Sequence, residues 1–263
     1  MIITKSAREI NLMKEAGRVV GLVFKKLEEA IRPGMSTLDI DAIVESTMLE
    51  NDCIPAEKGY YGYPASACVS VNDTLIHGIP SNKIIIREGD IVSVDIVATY
   101  KGYSADACRT YKVGTLTERA NRIVDVTKQA FFEALKVVKP GARIGDISET
   151  IQKYVESHGY NVVREYTGHG IGAHMHEDPT IPNYGKAGLG PVLTPGMALC
   201  IEPMVLEGRK DVRVLGDGWT VKSKDGKLTS HYENTVIVTE DGYEIITMPL
   251  GVKYHQEWLF MIR

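Results

Sequence analysis

No apolar run in the 263-residue chain approaches the ~20 residues a bilayer span needs, and its opening, MIITKSAREINLMKEAGRVV, is interrupted by charge every few positions. Neither a membrane span nor a secretory leader is therefore expected. The four cysteines, Cys53, Cys68, Cys108 and Cys200, stand far apart without a C-x-x-C, which argues against a zinc knuckle and against a disulfide framework. Free thiols fit a reducing cytoplasm, the expected location. Long Lys/Arg clusters are absent and the formal net charge is −4, so the chain lacks the electrostatic footprint of a protein that binds nucleic acid or an anionic membrane. Low-complexity segments and linker-like stretches are missing too. What remains is an ordinary globular composition, 44% hydrophobic, long enough to bury a full core.

Apolar residues at helical spacing (Ile10, Met13, Val20, Val23, Phe24, Leu27) predict a helix over the first 31 residues, stopped by Arg32-Pro33-Gly34. Ser36 and Asp39 resemble a capping box that opens a second helix ending near Asn51. From Ala67 to Val113 the pattern becomes short β-rich runs punctuated by turn residues. Residues 117 to 139 then read as a helix again, ending at Lys139-Pro140-Gly141, and Asp146 can cap another that runs to Gly159. One offset of 107 lays Arg32-Pro33-Gly34 on Lys139-Pro140-Gly141, Asp39-Ile40 on Asp146-Ile147, Gly89 on Gly196, and IVSVD (91 to 95) on ALCIE (198 to 202). Asp95 falls on Glu202. Pro-Gly after a helix is common by itself; the shared acid favours a true repeat. The expectation is one domain, 1–263, with related halves of about 1–115 and 116–250 and a tail at 251–263. The longest irregular stretch, Pro179 to Pro195, reads as a functional loop.

In IVSVDIVATYKGYSADACRT (91 to 110), Asp95 shares the Val97 face of a strand, and a turn at Tyr100-Lys101 sets Asp95 directly opposite Asp106; a bulge at Gly102 would shift the pairing by one. Facing carboxylates destabilise a sheet and resist ionisation when dry, unless a cation is supplied. For this pair alone, an exposed hairpin with two solvated acids fits equally well. The second half breaks the tie, because Glu202 lies on the strand aligned with that of Asp95 and Glu233 opens another strand-like run. Four converging carboxylates need cations, and two divalent ions match their charge. GHGIGAHMHEDP (168 to 179) adds His169, His174 and His176 among Gly168, Gly170 and Gly172, which allow close backbone approach and positive φ. His77-Gly78-Ile79 echoes His169-Gly170-Ile171, making His77 a candidate across the cleft. Oxygen-rich ligation with an imidazole favours Mn, Fe(II), Co or Zn over copper. Two metals sharing carboxylates suggest hydrolysis of an amide or ester by water held between them.

These residues resemble the ligand set of the methionine aminopeptidases: Asp95 and Asp106, His169 in GHGIG, Glu202 in IEPM, and Glu233 in YENT. LIHGIP (75 to 80), GYYGYPASACVSVN (59 to 72), VVREYTGHGIG (162 to 172) and DGWTVKSKDG (217 to 226) are similar to that family's other signatures, so the likeness spans about residues 4 to 250. It implies an α+β pita-bread fold, a curved antiparallel sheet with helices on its outer face and two pseudo-two-fold-related halves. It also implies an aminopeptidase that removes the initiator methionine from nascent chains. By that resemblance Asp95, Asp106, His169, Glu202 and Glu233 hold two divalent metals (Co, Mn, Fe(II) or Zn), and Glu202 doubles as general base. His176 would bond the scissile carbonyl oxygen and His77 the substrate amide. Tyr60, Tyr63, Cys68, Met175 and Trp219 would form the methionine pocket. The implied partners are polypeptide N-termini beginning with Met and the ribosome near its exit tunnel, with no nucleic acid substrate, no membrane, and a monomeric enzyme.

Glu57 departs from the family, standing where its pocket has a small or apolar residue. Cys108 and Cys200, two residues from Asp106 and Glu202, read as buried fillers, with a thiolate ligand as the minor alternative. Prolidase and aminopeptidase P share this kind of ligand set but carry an extra N-terminal domain, for which too few residues precede Asp95. The eukaryote-type enzymes carry a long insertion between the last two acidic ligands, whereas Glu202 and Glu233 are 31 apart, which favours the bacterial type I form. The contrasting class is a non-catalytic peptide- or RNA-binding protein on the same fold, expected to have lost ligands.

Overall fold

The computed structural model describes residues 1–248; the expected tail at 251–263 lies outside the described residues. The first half carries helices α1 (Ala7–Ala30) and α2 (Thr37–Leu49), then strands β1 (Ile54–Pro55), β2 (Cys68–Val71), β3 (Thr74–Ile76), β4 (Ile91–Tyr100) and β5 (Tyr103–Lys112). The second half starts the same way with α3 (Glu118–Leu135) and α4 (Ile144–Ser157), followed by β6 (Asn161–Val162), β7 (Thr167–Gly170), β8 (Glu177–Pro182) and β9 (Ala198–Ile201). It closes with β10 (Met204–Leu206), β11 (Val212–Val214), β12 (Val221–Ser223), β13 (Thr229–His231), β14 (Asn234–Val238) and β15 (Tyr243–Ile245). Every described strand pair is antiparallel.

Local chemistry explains the helix ends. Ser36 and Asp39 form the expected capping box, with the Asp39 carboxylate accepting the Ser36 N–H at 2.8 Å. Asp146 likewise caps α4, from the N3 position rather than as the N-cap itself: its carboxylate accepts the N–H of the N-cap Arg143 (2.7 Å) and that of Gly188 (2.8 Å). α3 stops at Leu135, short of residue 139, because Lys136, Val137 and Val138 make i→i−3 bonds that tighten the chain before Pro140.

The repeat is physical. The Gly34 N–H donates to the Ile86 carbonyl at 2.9 Å, and the Gly141 N–H, 107 residues on, donates to Leu193 at 3.0 Å. Ile86 and Leu193 donate back to Met35 and Ala142, both at 2.7 Å. Each helix pair covers its own core. α1 buries Met13, Val20, Val23, Phe24 and Leu27 against β4 and β5, while α3 and α4 bury Ile123, Phe131, Ile147 and Ile151 in one core with Leu199 and Ile201 of β9 and Val236 and Val238 of β14. These side chains are removed from water almost completely, at about 1.5–3 kcal/mol each before entropy.

The halves join along β5 and β14. Cys108 and Glu233 exchange backbone hydrogen bonds (3.4 and 3.0 Å). On either side a threonine replaces the ladder: Thr235 Oγ1 accepts the Asp106 N–H (2.9 Å) and donates to its carbonyl (2.8 Å). Thr110 Oγ1 does the same for His231, at 3.1 and 2.8 Å. Arg109 stacks between the rings of Phe24 and Tyr232 and donates to the Glu233 carbonyl, fastening the two cores across this line.

Pro179 to Pro195 proves structural for most of its length. β8 runs to Pro182, and the following loop satisfies the first turn of α4, whose Ile144 and Gly145 N–H groups donate to Pro191 (3.0 Å) and Leu189 (2.9 Å). Buried Asn183, which donates to the Glu202 carbonyl at 3.0 Å, is its one side-chain link to the acids.

Candidate metal centre

The β4–β5 hairpin closes on Lys101 and Gly102, both left-handed (φ 47° and 85°), so Tyr100 pairs with Tyr103 and Asp95 with Cys108. The expected turn at Tyr100-Lys101 is thereby corrected, because a two-residue hairpin turn of this hand needs positive φ at both central positions and Gly102 supplies the second without strain. Asp106 pairs with Val97 rather than Asp95. A shift of two leaves both acids on one face, since side chains alternate with period two.

His169 lies in strand β7 rather than in a loop, paired with Cys200 of β9. The glycines around it serve close approach, not the positive φ also expected. A Cβ on Gly168 would meet the Cys200 carbonyl at 2.4 Å, and one on Gly170 the Asp178 carbonyl at 2.1 Å. Gly168→Ala is therefore expected to push β7 off β9, at about 1–3 kcal/mol, and to weaken metal retention by displacing His169. Thermal melts and metal analysis of the variant check this.

Glu202 sits between β9 and β10, where Pro203 has no N–H to continue the ladder, and Glu233 sits between β13 and β14. Their carboxylates meet those of the hairpin. His169 Nε2 is 3.6 Å from Asp106 Oδ2 and 3.6 Å from Glu202 Oε1. Its Nδ1–H donates to the Gly170 carbonyl at 2.9 Å, which fixes the tautomer and leaves the Nε2 lone pair facing the acids. Burial holds this imidazole's pKa down to about 3, so it is neutral as a ligand must be. Burial raises Asp95 to about 6, and burial reinforced by neighbouring carboxylates puts Asp106 and Glu233 well above the usual range; burial does the same for Glu202.

Asp95 Oδ1, Asp106 Oδ1 and Glu233 Oε1 are buried without hydrogen-bond partners. Orphaned acceptors in one place are costly, and a cation satisfies them all. Asp106, His169, Cys200 and Glu233 offer donor atoms within 4.8 Å of one another, and so do Glu202, His231 and Glu233. The residues present fit two divalent ions.

The same cavity, about 190 Å³, is lined by the sequence-predicted His77, His176, Tyr60, Tyr63, Cys68, Met175 and Trp219. His176 stands at the rim with Nδ1 2.8 Å from Tyr60 Oη, and its ring lies 4.2 Å from that of His169. His77 holds a left-handed backbone (φ 57°), and burial lowers its pKa to about 4. Its neighbour Gly78 has no room for a Cβ, which would meet the Val69 carbonyl at 2.3 Å. Trp219 packs edge-on to Tyr63 (5.1 Å). His174 is exposed and does not line this cavity. Cys108 and Cys200 are fully buried, and burial keeps their thiols protonated. Glu57 does line the cavity, and burial, reinforced by Asp95 and Asp106, pushes its carboxyl well above the usual range. Sequence reasoning missed His231, which shares the strand face of Glu233 at i−2; that period-two spacing was the available signal.

Residues 11–240 match the sequence profile of metallopeptidase family M24. The chain belongs to metallopeptidase family M24. Among M24 relatives, a methionine aminopeptidase of Clostridium acetobutylicum is 49% identical over 248 residues, covering 94% of this chain and 99% of its own. The crystal structure of the methionine aminopeptidase from Thermotoga maritima superposes with a TM-score of 0.93 at 46% identity, over 94% of this chain and 100% of that one. A prolidase from Pyrococcus furiosus is more distant, with a TM-score of 0.76 and 26% identity, over 93% of this chain and 65% of that one. The M24 fold seen here is the expected α+β pita-bread arrangement, helices outside and acids inside.

Proposed function

We propose that the protein removes the N-terminal methionine from polypeptides by metal-dependent hydrolysis. The observation that carries this reading is the buried set Asp95, Asp106, His169, Glu202 and Glu233 opening into a pocket of aromatic and sulfur side chains, in a chain 49% identical to a methionine aminopeptidase. Those five residues hold the ions. Two divalent cations, when bound, neutralise the carboxylates and activate water and the scissile carbonyl.

The chain's own groups do the rest. Glu202 takes the proton from the attacking water and returns it to the leaving amine. His176, braced by Tyr60 Oη at 2.8 Å, donates to the carbonyl oxygen as negative charge develops there. His77, held neutral, bonds the amide on the leaving side. Tyr60, Tyr63, Cys68, Met175 and Trp219 receive the methionine side chain, since a thioether suits aromatic and soft partners. Glu57 joins that wall with its carboxyl pushed up by burial, which disfavours a charge against the thioether. We place this activity in the cytoplasm, on chains near the ribosomal exit, in a monomer whose two halves act as one catalytic unit.

The test is hydrolysis of Met-Ala-Ser by Mn- or Co-loaded protein beside Ala-Ala-Ser and Met-Pro. Release of methionine from the first, with at least tenfold lower rates on the others, is expected. Selective cleavage of Met-Pro instead assigns a prolidase-like dipeptidase. No turnover of any substrate by loaded protein assigns a binding module.

A further inference from the structure

His231 is 1% exposed, and its Nε2 has no hydrogen-bond partner. That nitrogen stands 3.6 Å from Glu202 Oε2 and 3.7 Å from Glu233 Oε2. The ring also offers a donor within 4.8 Å of those of Asp95 and Cys108. A hydrogen bond draws nitrogen and oxygen to about 2.7–3.2 Å. Two donors each about 2.1 Å from one shared ion sit roughly 3–3.5 Å apart. The separations at His231 are closer to the second arrangement, and His169 Nε2 shows the same spacing, 3.6 Å to both Asp106 and Glu202. The two imidazoles flank Glu202 through opposite oxygens, His169 on Oε1 and His231 on Oε2.

The seam between the halves argues the same point independently. Cys108 and Glu233 bond each other's backbone, Thr235 clasps the N–H and C=O of Asp106, and Thr110 clasps those of His231. The pseudo-two-fold axis therefore exchanges Cys108 with Glu233, Thr110 with Thr235, and Asp106 with His231. Strand register agrees. Asp95 pairs with Cys108, and the β9–β14 register, Ile201 with Asn234, continues to Glu202 opposite Glu233. His231 thus occupies in the second half the position that a metal-binding aspartate holds in the first.

We propose that His231 is a sixth protein donor of the metal centre, serving the ion on the Asp95 and Glu233 side as His169 serves the other. This rests on the two-metal reading of the site. An imidazole there makes the second position more selective, holding Co, Fe(II) or Zn in preference to a harder ion such as Mg.

Stepwise cobalt titration by calorimetry, with the visible spectrum recorded at each equivalent, tests it on the whole chain. Wild type is expected to take two equivalents. In His231→Gln the first should bind unchanged, and the second at least tenfold more weakly with an altered spectrum. X-ray absorption of the dicobalt wild type needs no variant to fold, and should count one imidazole per cobalt on average. Half an imidazole per cobalt, or a second equivalent that His231→Gln binds as tightly as wild type, overturns the proposal. A wild type that takes fewer than two equivalents instead overturns the two-metal reading itself.

Discussion

Glu202→Gln, measured at saturating metal, is expected to lower kcat/KM on Met-Ala-Ser by about a thousandfold or more, roughly 4 kcal/mol of transition-state stabilisation. The substitution keeps the side chain's shape and removes its charge and basicity together. A positioned general base alone is worth about 10² to 10⁴ in rate, and in the proposed site Glu202 also contributes one of the four charges that would hold the ions. The two losses separate experimentally. Metal content reports the ligand role, while kcat in fully loaded variant reports the base. Rates within tenfold of wild type in loaded Glu202→Gln would move the proton-transfer role to another residue.

Chelation is expected to abolish turnover and to leave a protein whose melting temperature falls as pH rises above about 6.5. The sign follows from which state binds more protons. Asp95, lifted to about 6, and Asp106, Glu202 and Glu233, lifted further, hold protons in the folded state that the unfolded chain has already released. The stability this carries is complete at low pH and is lost as pH rises through the folded values. The histidines act in the opposite sense, His169 down to about 3 and His77 to about 4, so their contribution is present above the ordinary value of 6.5 and fades below it. Above 6.5 they are neutral in both states, and the carboxylates set the slope, joined in the same sense towards pH 8.5 by the buried thiols that the folded state keeps protonated. Bound ions replace those protons, and each site filled at a hundred times its Kd adds about 2.7 kcal/mol. Melting curves from pH 6.5 to 8.5, with chelator and with Mn or Co, should diverge steadily. A flat chelated curve would mean that the carboxylates are not forced together as described.

The four acids and the histidine that line one cavity, and the candidate pocket residues beside them, were legible because each sits in a short signature whose neighbours are local: glycines around His169, a proline after Glu202, alternation around Asp95. Register was not. A turn displaced by one position moves every cross-strand partner by two, and only the left-handed geometry of Lys101 and Gly102 fixes it. The stretch after Pro182 looked like a functional loop because glycine and proline mark both loops and helix wrappings, and its real partner, the first turn of α4, is remote in sequence. His231 escaped because a lone histidine near a strand end is common. Its i−2 spacing from Glu233 was the local signal, and the axis of symmetry that gives that spacing weight exists only in the folded halves.

The join between β5 and β14 has one more effect. Neighbouring strands lie about 4.8 Å apart wherever backbones pair, and the two-metal hydrolytic sites keep their ions about 3.5–4 Å apart. Asp106 and Cys108 on β5, His231 at the end of β13 and Glu233 just before β14 are spaced by the Cys108–Glu233 pairing and the threonine clasps beside it rather than by loops. The sheet therefore works as a gauge block: its hydrogen bonds set the pitch of the carboxylates before any ion arrives.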